Sequence, residues 1–356
     1  MHISPASRAS SSSGLYRMVG GRAPRLGLTL GDCAGIGPEV IVQALLQTEL
    51  HRRAHVRLYV AAPLQPWVMA TLGRFGLTGA STAHGAGLHV VPVGEAGPQL
   101  MPQAGKSNAQ SRRHAFDALD QLATDAKAGL LDAMVTGPVP KGIFDHLQPR
   151  PPGQTEFLAE RLGAERFAMM LAGPRLRVVP VTTHIALRDV ASVLTTQRIV
   201  DAGRAAADAL VRWFDIAAPR IAVCGLNPHA GEEGKLGDEE ARIIAPAVAQ
   251  LRQAGVQAEG PVVADTVFFR AMGGRYDAVL CMYHDQALGP LKTVHFHDAV
   301  NVTCGLPVPR LSPDHGTAYD IAGKGVADPT STAHALNRAE RIALRALVAA
   351  KANSQD

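Results

Sequence analysis

Short apolar runs rich in Val, Leu and Ile alternate along the chain with longer segments in which apolar residues recur every three or four positions. The short runs predict buried strands, and the longer segments predict helices with one apolar face. Strands are predicted at 26–30, 56–61, 88–93, 132–136, 176–183, 220–226, 276–283 and 299–304. Strands that alternate with helices are typical of βαβ units, so the sequence predicts an α/β fold with a mainly parallel sheet.

The starts of three helices can be placed from local signals. Pro38 opens a helix with an apolar face over 40–45. Thr196 and Asp238 are the predicted caps of two later helices. The Pro-rich stretch 148–153 is predicted to connect two lobes.

A glycine-rich turn at 31–37 precedes the first of these helices. Its glycines allow an anion to approach backbone N–H groups at the helix start. Its spacing, G-x-x-x-G-x-G, differs from the dinucleotide fingerprint, and such turns are also common as plain structure. The turn therefore does not predict an ordinary dinucleotide-binding domain.

Composition and charge narrow the class of protein. With 356 residues, 47% of them hydrophobic, the chain has room for one large or two medium domains. Its formal net charge of +4 comes mostly from residues 1–24, which contain three arginines and no acid. The remaining chain lacks a basic surface, which argues against a nucleic acid partner.

Other features of the sequence predict the cellular location of the protein. The four cysteines contain no Cys-x-x-Cys pair, as expected for reduced residues in a cytoplasmic protein. The sequence has no run of eighteen uncharged apolar residues, so we expect no membrane span. Residues 1–24, rich in Ser, Arg and Gly, are predicted to be a disordered tail, and Met18 is an alternative start to Met1.

Three of the predicted strands lead into a histidine, namely His184, His229 and His284. Ligands of open α/β sheets bind beyond the carboxyl ends of strands, so these side chains can converge. Three neutral imidazoles suit a divalent metal such as zinc and leave positions open for substrate. Asp285 and Asp265 are the nearest carboxylates that could orient them. Taken singly, a histidine that follows a strand is usually a hydrogen-bonded loop residue.

A second group of polar residues predicts anion binding. Lys292, Asn301 and Arg310, with Thr155 upstream, could bind a substrate that carries carboxylate and phosphate. The alternative for each is a solvated surface position. The polar, glycine-rich segment 314–325 is predicted to be a long ordered loop, a kind of loop that tends to be functional.

Several motifs together resemble the 4-hydroxythreonine-4-phosphate dehydrogenase family of vitamin B6 (pyridoxal phosphate) synthesis. They are L-T-L-G-D at 28–32, A-G-I-G-P-E at 34–39, G-Q-T-E-F at 153–157, T-T-H at 182–184, G-L-N-P-H-A-G-E at 225–232, A-D-T at 264–266, M-Y-H-D-Q at 282–286 and D-H-G-T-A at 314–318. The resemblance covers nearly everything from 25 to 350.

This resemblance implies a two-domain subunit of the isocitrate and isopropylmalate dehydrogenase type, with a cleft between lobes. Domain 1 would comprise 25–150 and 303–356, and domain 2 would comprise 151–302. The subunits would form a homodimer with the active site at their interface. The implied reaction is metal-dependent, NAD-linked oxidation of the secondary alcohol of 4-phosphohydroxy-L-threonine to a 3-keto acid that decarboxylates.

The resemblance also implies roles for residues. The metal ligands would be His184, His229 and His284, contributed by both subunits, with zinc favoured over magnesium, manganese or cobalt. The substrate would be held by Gln154, Thr155, Lys292, Asn301 and Arg310. Asp265 would lie close to the substrate; it, Lys292 and a hydroxide on the metal are the candidates for the general base.

The loop from His315 resembles the adenosine-binding loop of isopropylmalate dehydrogenases. His315, Gly316, Thr317 and Asp320 would then bind the cofactor. An acid at Asp320 would accept hydrogen bonds from ribose hydroxyls and repel a 2′-phosphate, which favours NAD over NADP.

Gln154 departs from the family, which has histidine at this position. Glutamine donates a hydrogen bond but carries no charge. Similar enzymes act on 4-phospho-D-threonate, 4-phospho-D-erythronate or aromatic cis-dihydrodiol acids, and these substrates stay open.

Two other classes of protein also stay open. One is a three-histidine metal hydrolase, which would not bind NAD, and the other is a sugar-phosphate-binding regulatory module, which would bind its ligand without turnover.

Overall fold

The computed structural model describes residues 22–77 and 85–352. The strands within them are β1 (Arg25–Thr29), β2 (His55–Ala61), β3 (Gly87–Val93), β4 (Ala133–Thr136), β5 (Ala168–Ala172), β6 (Arg177–Pro180), β7 (Arg220–Cys224), β8 (Gln257–Val262), β9 (Ala278–Cys281), β10 (Val300–Cys304) and β11 (Arg310–Pro313). The helices are α1 (Gly37–Thr48), α2 (Gln65–Arg74), α3 (Ala109–Lys127), α4 (Gln154–Leu162), α5 (Val190–Val193), α6 (Thr196–Phe214), α7 (Ala245–Gln253), α8 (Ala264–Met272), α9 (His284–Val294) and α10 (Thr330–Ala352).

All these strands form one sheet in the order β3-β2-β1-β4-β11-β10-β5-β6-β9-β7-β8. The five strands from β3 to β11 are mutually parallel, and so are the four from β6 to β8. Between these two blocks, β10 and β5 make antiparallel pairs. The predicted α/β fold with a mainly parallel sheet is confirmed.

The antiparallel centre of the sheet decides where polar side chains can gather. Register pairs Asn301 of β10 with Ser312 of β11 and with Leu171 of β5. Thr303, two residues along β10, pairs with Arg310. Because side chains alternate between the faces of a sheet, all five point to the same face. One face of the centre therefore carries an arginine, an amide and hydroxyls.

Helices cover the sheet and bury its apolar side chains. The faces of α1, α6, α7 and α10 join strand residues of both parallel blocks in one large hydrophobic core. Smaller clusters lie under α3 and α4 and under α8 and α9. Burial of this apolar surface is the main stabilising term of such a fold.

Each predicted strand overlaps an observed one, but three strands were not predicted. β5 consists of Ala, Met and Leu, which carry no β-branched signal. β8 contains Gly260 and Pro261, which an edge strand tolerates because it needs fewer ladder hydrogen bonds. β11 is four residues long and half polar. The antiparallel centre of the sheet could therefore not be predicted from the pattern of hydrophobic residues.

Two of the predicted helix caps need correction. The cap of α6 is Thr195, whose hydroxyl accepts the Arg198 N–H at 3.2 Å, whereas Thr196 is already helical. Thr196 instead donates to the Ile243 carbonyl at 3.0 Å. Asp238 is not a cap either: the residue before the π-helical turn Glu240–Ile244 is Glu239, the start of that turn has no side-chain cap, and Asp238 instead pairs with Arg242.

Two further predictions concern the N-terminal tail and the boundary between the two domains. The predicted tail lies outside the described residues except for 22–24, where Arg22 donates to Asp132 at 2.9 Å and Ala23 is buried. The two-domain division stays a prediction, and its boundary at 302–303 falls inside β10. Among residues 22–77 and 85–352, no helix has the length and apolar character needed to cross a membrane.

Candidate active site

A cleft of about 830 Å³ lies over the polar face of the central strands. Its size suits a small metabolite together with part of a cofactor. The predicted site residues that line it are Gln154, Thr155, His184, His284, Asn301, Arg310, His315 and Gly316. The sequence-distant groups are thus brought to one place, which the strand pattern alone did not establish.

Arg310 is the most deeply buried charge in the cleft, with 3% of its surface exposed. Its guanidinium donates to the Thr136 hydroxyl at 2.7 and 2.9 Å and to the Thr303 hydroxyl at 3.3 Å. All the oxygens that it contacts within the described residues are neutral. Burial lowers the pKa of Arg310 to about 10, although the nearby Glu156 charge opposes that shift. Such a desolvated cation is well suited to bind an anion.

Gln154 lies beside Arg310 at the start of α4. Its Oε1 accepts from Arg310 at 3.4 Å, and its Nε2 donates to the Gly137 carbonyl at 3.3 Å. Gly153, the residue before α4, offers no side-chain cap to the helix N–H groups. The first turn of α4, with Thr155, therefore adds backbone donors and a helix dipole to the same end of the cleft.

Lys292 reaches the wall of the cleft through an ion pair. Its Nζ lies 3.2 Å from Oδ2 of Asp314, which lines the cleft. Asn301 also lines the cleft, and its buried Oδ1 has no hydrogen-bond partner in the structure. A buried acceptor without a partner is costly unless a ligand donor satisfies it.

His184 and His284 stand together at another part of the cleft, with ring centroids 6.1 Å apart. Two imidazoles bound to one zinc ion at about 2.0–2.1 Å have ring centres roughly 5–6 Å apart, so the two rings lie close to the separation that a shared metal ion requires. Nδ1 of His284 lies 2.6 Å from Asp285, which leaves Nε2 for a metal. Burial, followed by the charges of Lys141 and His284, lowers the pKa of His184 and favours the neutral ring that a metal needs.

His229 and Asp265 do not line this cleft. His229 is exposed on a loop after β7, with its Nδ1 2.6 Å from Glu232. The Glu232 hydrogen bond and charge raise the pKa of His229, and Asp265 adds to the effect from the first turn of α8. Within the part of one chain that the structure describes, no three His, Cys, Asp or Glu side chains form a metal site. The described part of one chain therefore does not bring His229 together with His184 and His284.

The predicted cofactor loop is irregular from Asp314 to α10 and is held at its base. Tyr319 donates to the fully buried Asp32 at 2.8 Å, and Ser107 donates to the same carboxylate at 2.6 Å. The Thr317 carbonyl accepts from Ile36 at 2.9 Å. The exposed Asp320 follows directly on this anchored segment.

Close packing around the turn at 31–37 explains why it is rich in glycine. A Cβ at Gly35 would lie 2.6 Å from the Thr317 carbonyl oxygen, and one at Gly37 would lie 1.9 Å from the Leu30 oxygen. Gly31 has φ +74 and sits against Pro138. Close packing of the turn against the loop and a strand end requires these glycines. In the structure the turn supports the loop.

Sequence reasoning missed several polar residues of the site. Thr136, Thr303 and Ser312 carry the polar face, and only the strand register reveals them. Lys141 was not predicted to belong to the site, yet it lines the cleft, and its charge lowers the pKa of His184. Asp32 was part of a quoted motif, but its burial could not be read from the sequence.

Known proteins resemble the chain over most of its length. The family model described as pyridoxal phosphate biosynthetic protein PdxA matches residues 44–339. A relative from Bradyrhizobium diazoefficiens named 4-hydroxythreonine-4-phosphate dehydrogenase is 46% identical over 341 residues, covering 92% of this chain and 99% of that protein. A relative of the same name from Geobacter metallireducens is 44% identical over 325 residues, covering 90% and 96%.

Solved structures give the same picture. The 4-hydroxythreonine-4-phosphate dehydrogenase of Klebsiella pneumoniae superimposes with a TM-score of 0.78 at 37% identity, covering 90% of this chain and 98% of that one. A terephthalate 1,2-cis-dihydrodiol dehydrogenase from Burkholderia xenovorans gives 0.64 at 27% identity, covering 87% and 96%.

Proposed function

The chain belongs to the PdxA family of pyridoxal phosphate biosynthetic proteins, and from this membership we propose that it is an NAD-linked 4-hydroxythreonine-4-phosphate dehydrogenase. Its substrate is 4-phosphohydroxy-L-threonine, a small phosphorylated hydroxy acid. The observation that carries the proposal is the buried Arg310 beside the uncapped start of α4, in a cleft that also holds two paired histidines.

The anionic end of the substrate binds where cationic and neutral donors meet. Arg310, Thr155 and the first N–H groups of α4 form a site for phosphate. Asn301 offers a free acceptor to the substrate ammonium or hydroxyl. Lys292, held by Asp314, supplies a second positive charge for the carboxylate. The two cations thus match the two anionic groups of the substrate.

His184, His229 and His284 would hold a divalent ion, most simply zinc. His184 and His284 come from one subunit of a homodimer and His229 from the other, since His229 is exposed and away from its own cleft. When bound, the ion supplies a positive charge that favours loss of the alcohol proton and polarises the carbonyl formed from it. Asp285 and Glu232 hold Nδ1 of His284 and His229 and so orient their Nε2 atoms.

The reaction removes a hydride and a proton from the secondary alcohol. NAD⁺, when bound, would accept the hydride, and the proton would pass to a base, for which Lys292 and Asp265 are the side-chain candidates. The 3-keto acid then loses its carboxylate as CO₂. His315, Gly316, Thr317 and Asp320 bind the cofactor on the loop anchored by Asp32. Asp320, an exposed acid, favours NAD over NADP.

Gln154 favours a second candidate within the same chemistry. It occupies the position of the family histidine and contacts Arg310 directly, so it lies where the anionic end of the substrate binds. A neutral amide there fits 4-phospho-D-threonate or 4-phospho-D-erythronate as well as the biosynthetic substrate.

A substrate panel tests the proposal. The full-length protein, supplied with zinc and NAD⁺, is given 4-phosphohydroxy-L-threonine, the two phosphorylated sugar acids and an aromatic cis-dihydrodiol acid, and NADH formation is followed. We expect the highest kcat/KM with 4-phosphohydroxy-L-threonine. Faster turnover of a phosphorylated sugar acid would support the second candidate, and no NADH with any of them would refute both.

A further inference from the structure

The loop that carries His229 has an unusual backbone. Six consecutive residues, His229–Gly234, have positive φ values, and four of them are not glycine. Their φ angles are 51, 55, 42 and 58, with Gly231 at 83. L-residues adopt this left-handed conformation at a cost, so surrounding contacts must hold a run of this length. Strained backbone of this kind is concentrated at functional sites.

Glu240 makes the contacts that hold the entry to this loop. It is 5% exposed, and its Oε1 accepts the Leu226 N–H at 2.8 Å and the Asn227 N–H at 2.7 Å. Its Oε2 accepts the Asn227 side-chain amide at 3.0 Å. Glu239 takes a further hydrogen bond from that amide at 2.7 Å. The backbone just before Pro228 is thus fixed by one buried carboxylate and its neighbour.

The same carboxylate also packs against the loop itself. A Cβ at Gly231 would lie 2.8 Å from Oε2 of Glu240, and a Cβ at Gly225 would lie 3.1 Å from Oε1. Glu240 therefore fills a space between two glycines, one before and one inside the left-handed run. No Lys or Arg side chain of the described residues forms an ion pair with it. All of its hydrogen bonds, as the structure gives them, go to the segment that leads to His229.

Glu240 stands at a special point of its own helix. It begins the π-helical turn Glu240–Ile244, which continues into α7. π turns are uncommon and often occur at functional sites. From this turn the Glu240 carboxylate contacts the backbone that follows β7. Helix α8, which carries Asp265, also contacts the loop.

We propose that Glu240 is a positioning residue for the metal site. By holding the left-handed loop, it keeps His229 exposed in the orientation that serves the cleft of the second subunit. This inference rests on the proposed function, in which His229 is a ligand. Glu240 touches neither substrate nor metal, so its effect passes entirely through His229.

The test is metal affinity of the full-length dimer. Glu240→Gln keeps the size of the side chain but replaces one acceptor oxygen with a donor, so one of the three hydrogen bonds is lost. We expect the dissociation constant for Co²⁺, followed by the visible absorption of the metal-stripped protein during titration, to rise about 10–100-fold. Saturating metal should restore most of kcat, because the ligands themselves are intact. Glu240→Asp, one methylene shorter, should also weaken metal binding.

Two further variants separate the explanations. Asp125→Asn is the matched control, because Asp125 is a buried carboxylate hydrogen-bonded to Tyr59 and Gln121 on the far block of the sheet. It should lower the melting temperature without changing Co²⁺ affinity.

His229→Ala reports on the proposed function, and unchanged Co²⁺ affinity in that variant would refute the ligand set. Weakened binding in His229→Ala together with wild-type affinity in Glu240→Gln would overturn the positioning role. If Glu240→Gln does not fold, Glu240→Asp decides by the same comparison.

Discussion

Arg310 shows how one residue can favour function over stability. Its guanidinium is buried among hydroxyls, and the lowered pKa of Arg310 means that burial disfavours its charged form. A charge held in this way is available to a phosphate that enters the cleft. The same charge is a cost to the folded protein before the substrate binds.

Arg310→Gln should therefore reduce activity without reducing stability. Loss of charge-assisted hydrogen bonds worth about 1.5–3 kcal/mol predicts a fall in kcat/KM of about 10–100-fold, mainly through KM. The melting temperature of the variant should equal or exceed that of the wild type, because a desolvated charge is removed. Initial rates of NADH formation and thermal unfolding measure the two effects. Arg220→Gln, at an exposed arginine paired with Asp277, is the control and should leave KM unchanged.

Gln154→His tests the departure from the family at the neighbouring position. The histidine would stand where Gln154 now contacts Arg310 and the Gly137 carbonyl. A group that can carry charge should bind the anionic end of the biosynthetic substrate more tightly. We expect the ratio of kcat/KM for 4-phosphohydroxy-L-threonine over 4-phospho-D-threonate to rise severalfold while KM for NAD stays constant. An unchanged ratio would mean that Gln154 does not select the substrate.

For single residues, the sequence predicted those whose role follows from the type of side chain alone. Eight of the predicted residues line one cleft, including His184 and Arg310. Glu240 and Thr136 could not be predicted, because their roles depend on burial and on partners distant in the sequence. A glutamate at a helix start is ordinarily a solvated residue, and only the structure shows that this one is enclosed.

Between elements, Asp32 connects three parts of the chain. It lies in the turn before α1, accepts from Ser107 just before α3 and accepts from Tyr319 in the cofactor loop. A fully buried carboxylate requires such donors, so the turn, α3 and the loop are fixed relative to one another.

Asp32→Asn should weaken cofactor binding specifically. An amide nitrogen accepts no hydrogen bond, so it cannot replace the carboxylate oxygen that now accepts from Ser107 and Tyr319. The loop that carries Asp320 therefore loses part of its anchor. We expect the NADH dissociation constant, measured by fluorescence titration, to rise about 10-fold with little change in Co²⁺ affinity. Tyr319→Phe, which removes a single donor, should have a smaller effect in the same direction. Equal NADH affinity in wild type and Asp32→Asn would show that the loop does not depend on this carboxylate.

The elements themselves were predictable where their signal was local. Strands with β-branched residues and the helix opened by Pro38 follow from periodicity and start signals. β5 and β11 were not predictable because they become strands through tertiary pairing with β10 and β4. Since these strands form the floor of the cleft, the site could be predicted as a set of residues but not as a surface.

At the scale of the whole molecule, two exposed apolar side chains lie close in the chain to predicted site residues. Leu187 follows His184 and is 69% exposed, and Phe269 lies one helical turn after Asp265 and is 80% exposed. Large apolar side chains gain free energy when a second subunit covers them. Their position beside His184 and Asp265 agrees with the proposed homodimer, in which each cleft is completed by the other subunit.

Subunit mixing tests this arrangement directly. His229→Ala and His284→Ala should each be inactive as homodimers, because every site lacks a ligand. If His184 and His284 act in one chain and His229 in the other, a heterodimer of the two variants contains one intact site. Random reassociation of equal amounts after mild denaturation makes about half of the dimers heterodimers, so about a quarter of wild-type activity should return. His184→Ala mixed with His284→Ala is the control, because both defects fall on the same side of the interface and no intact site can form. Recovery in the control, or none in the first mixture despite demonstrated heterodimers, would contradict a metal site shared between subunits.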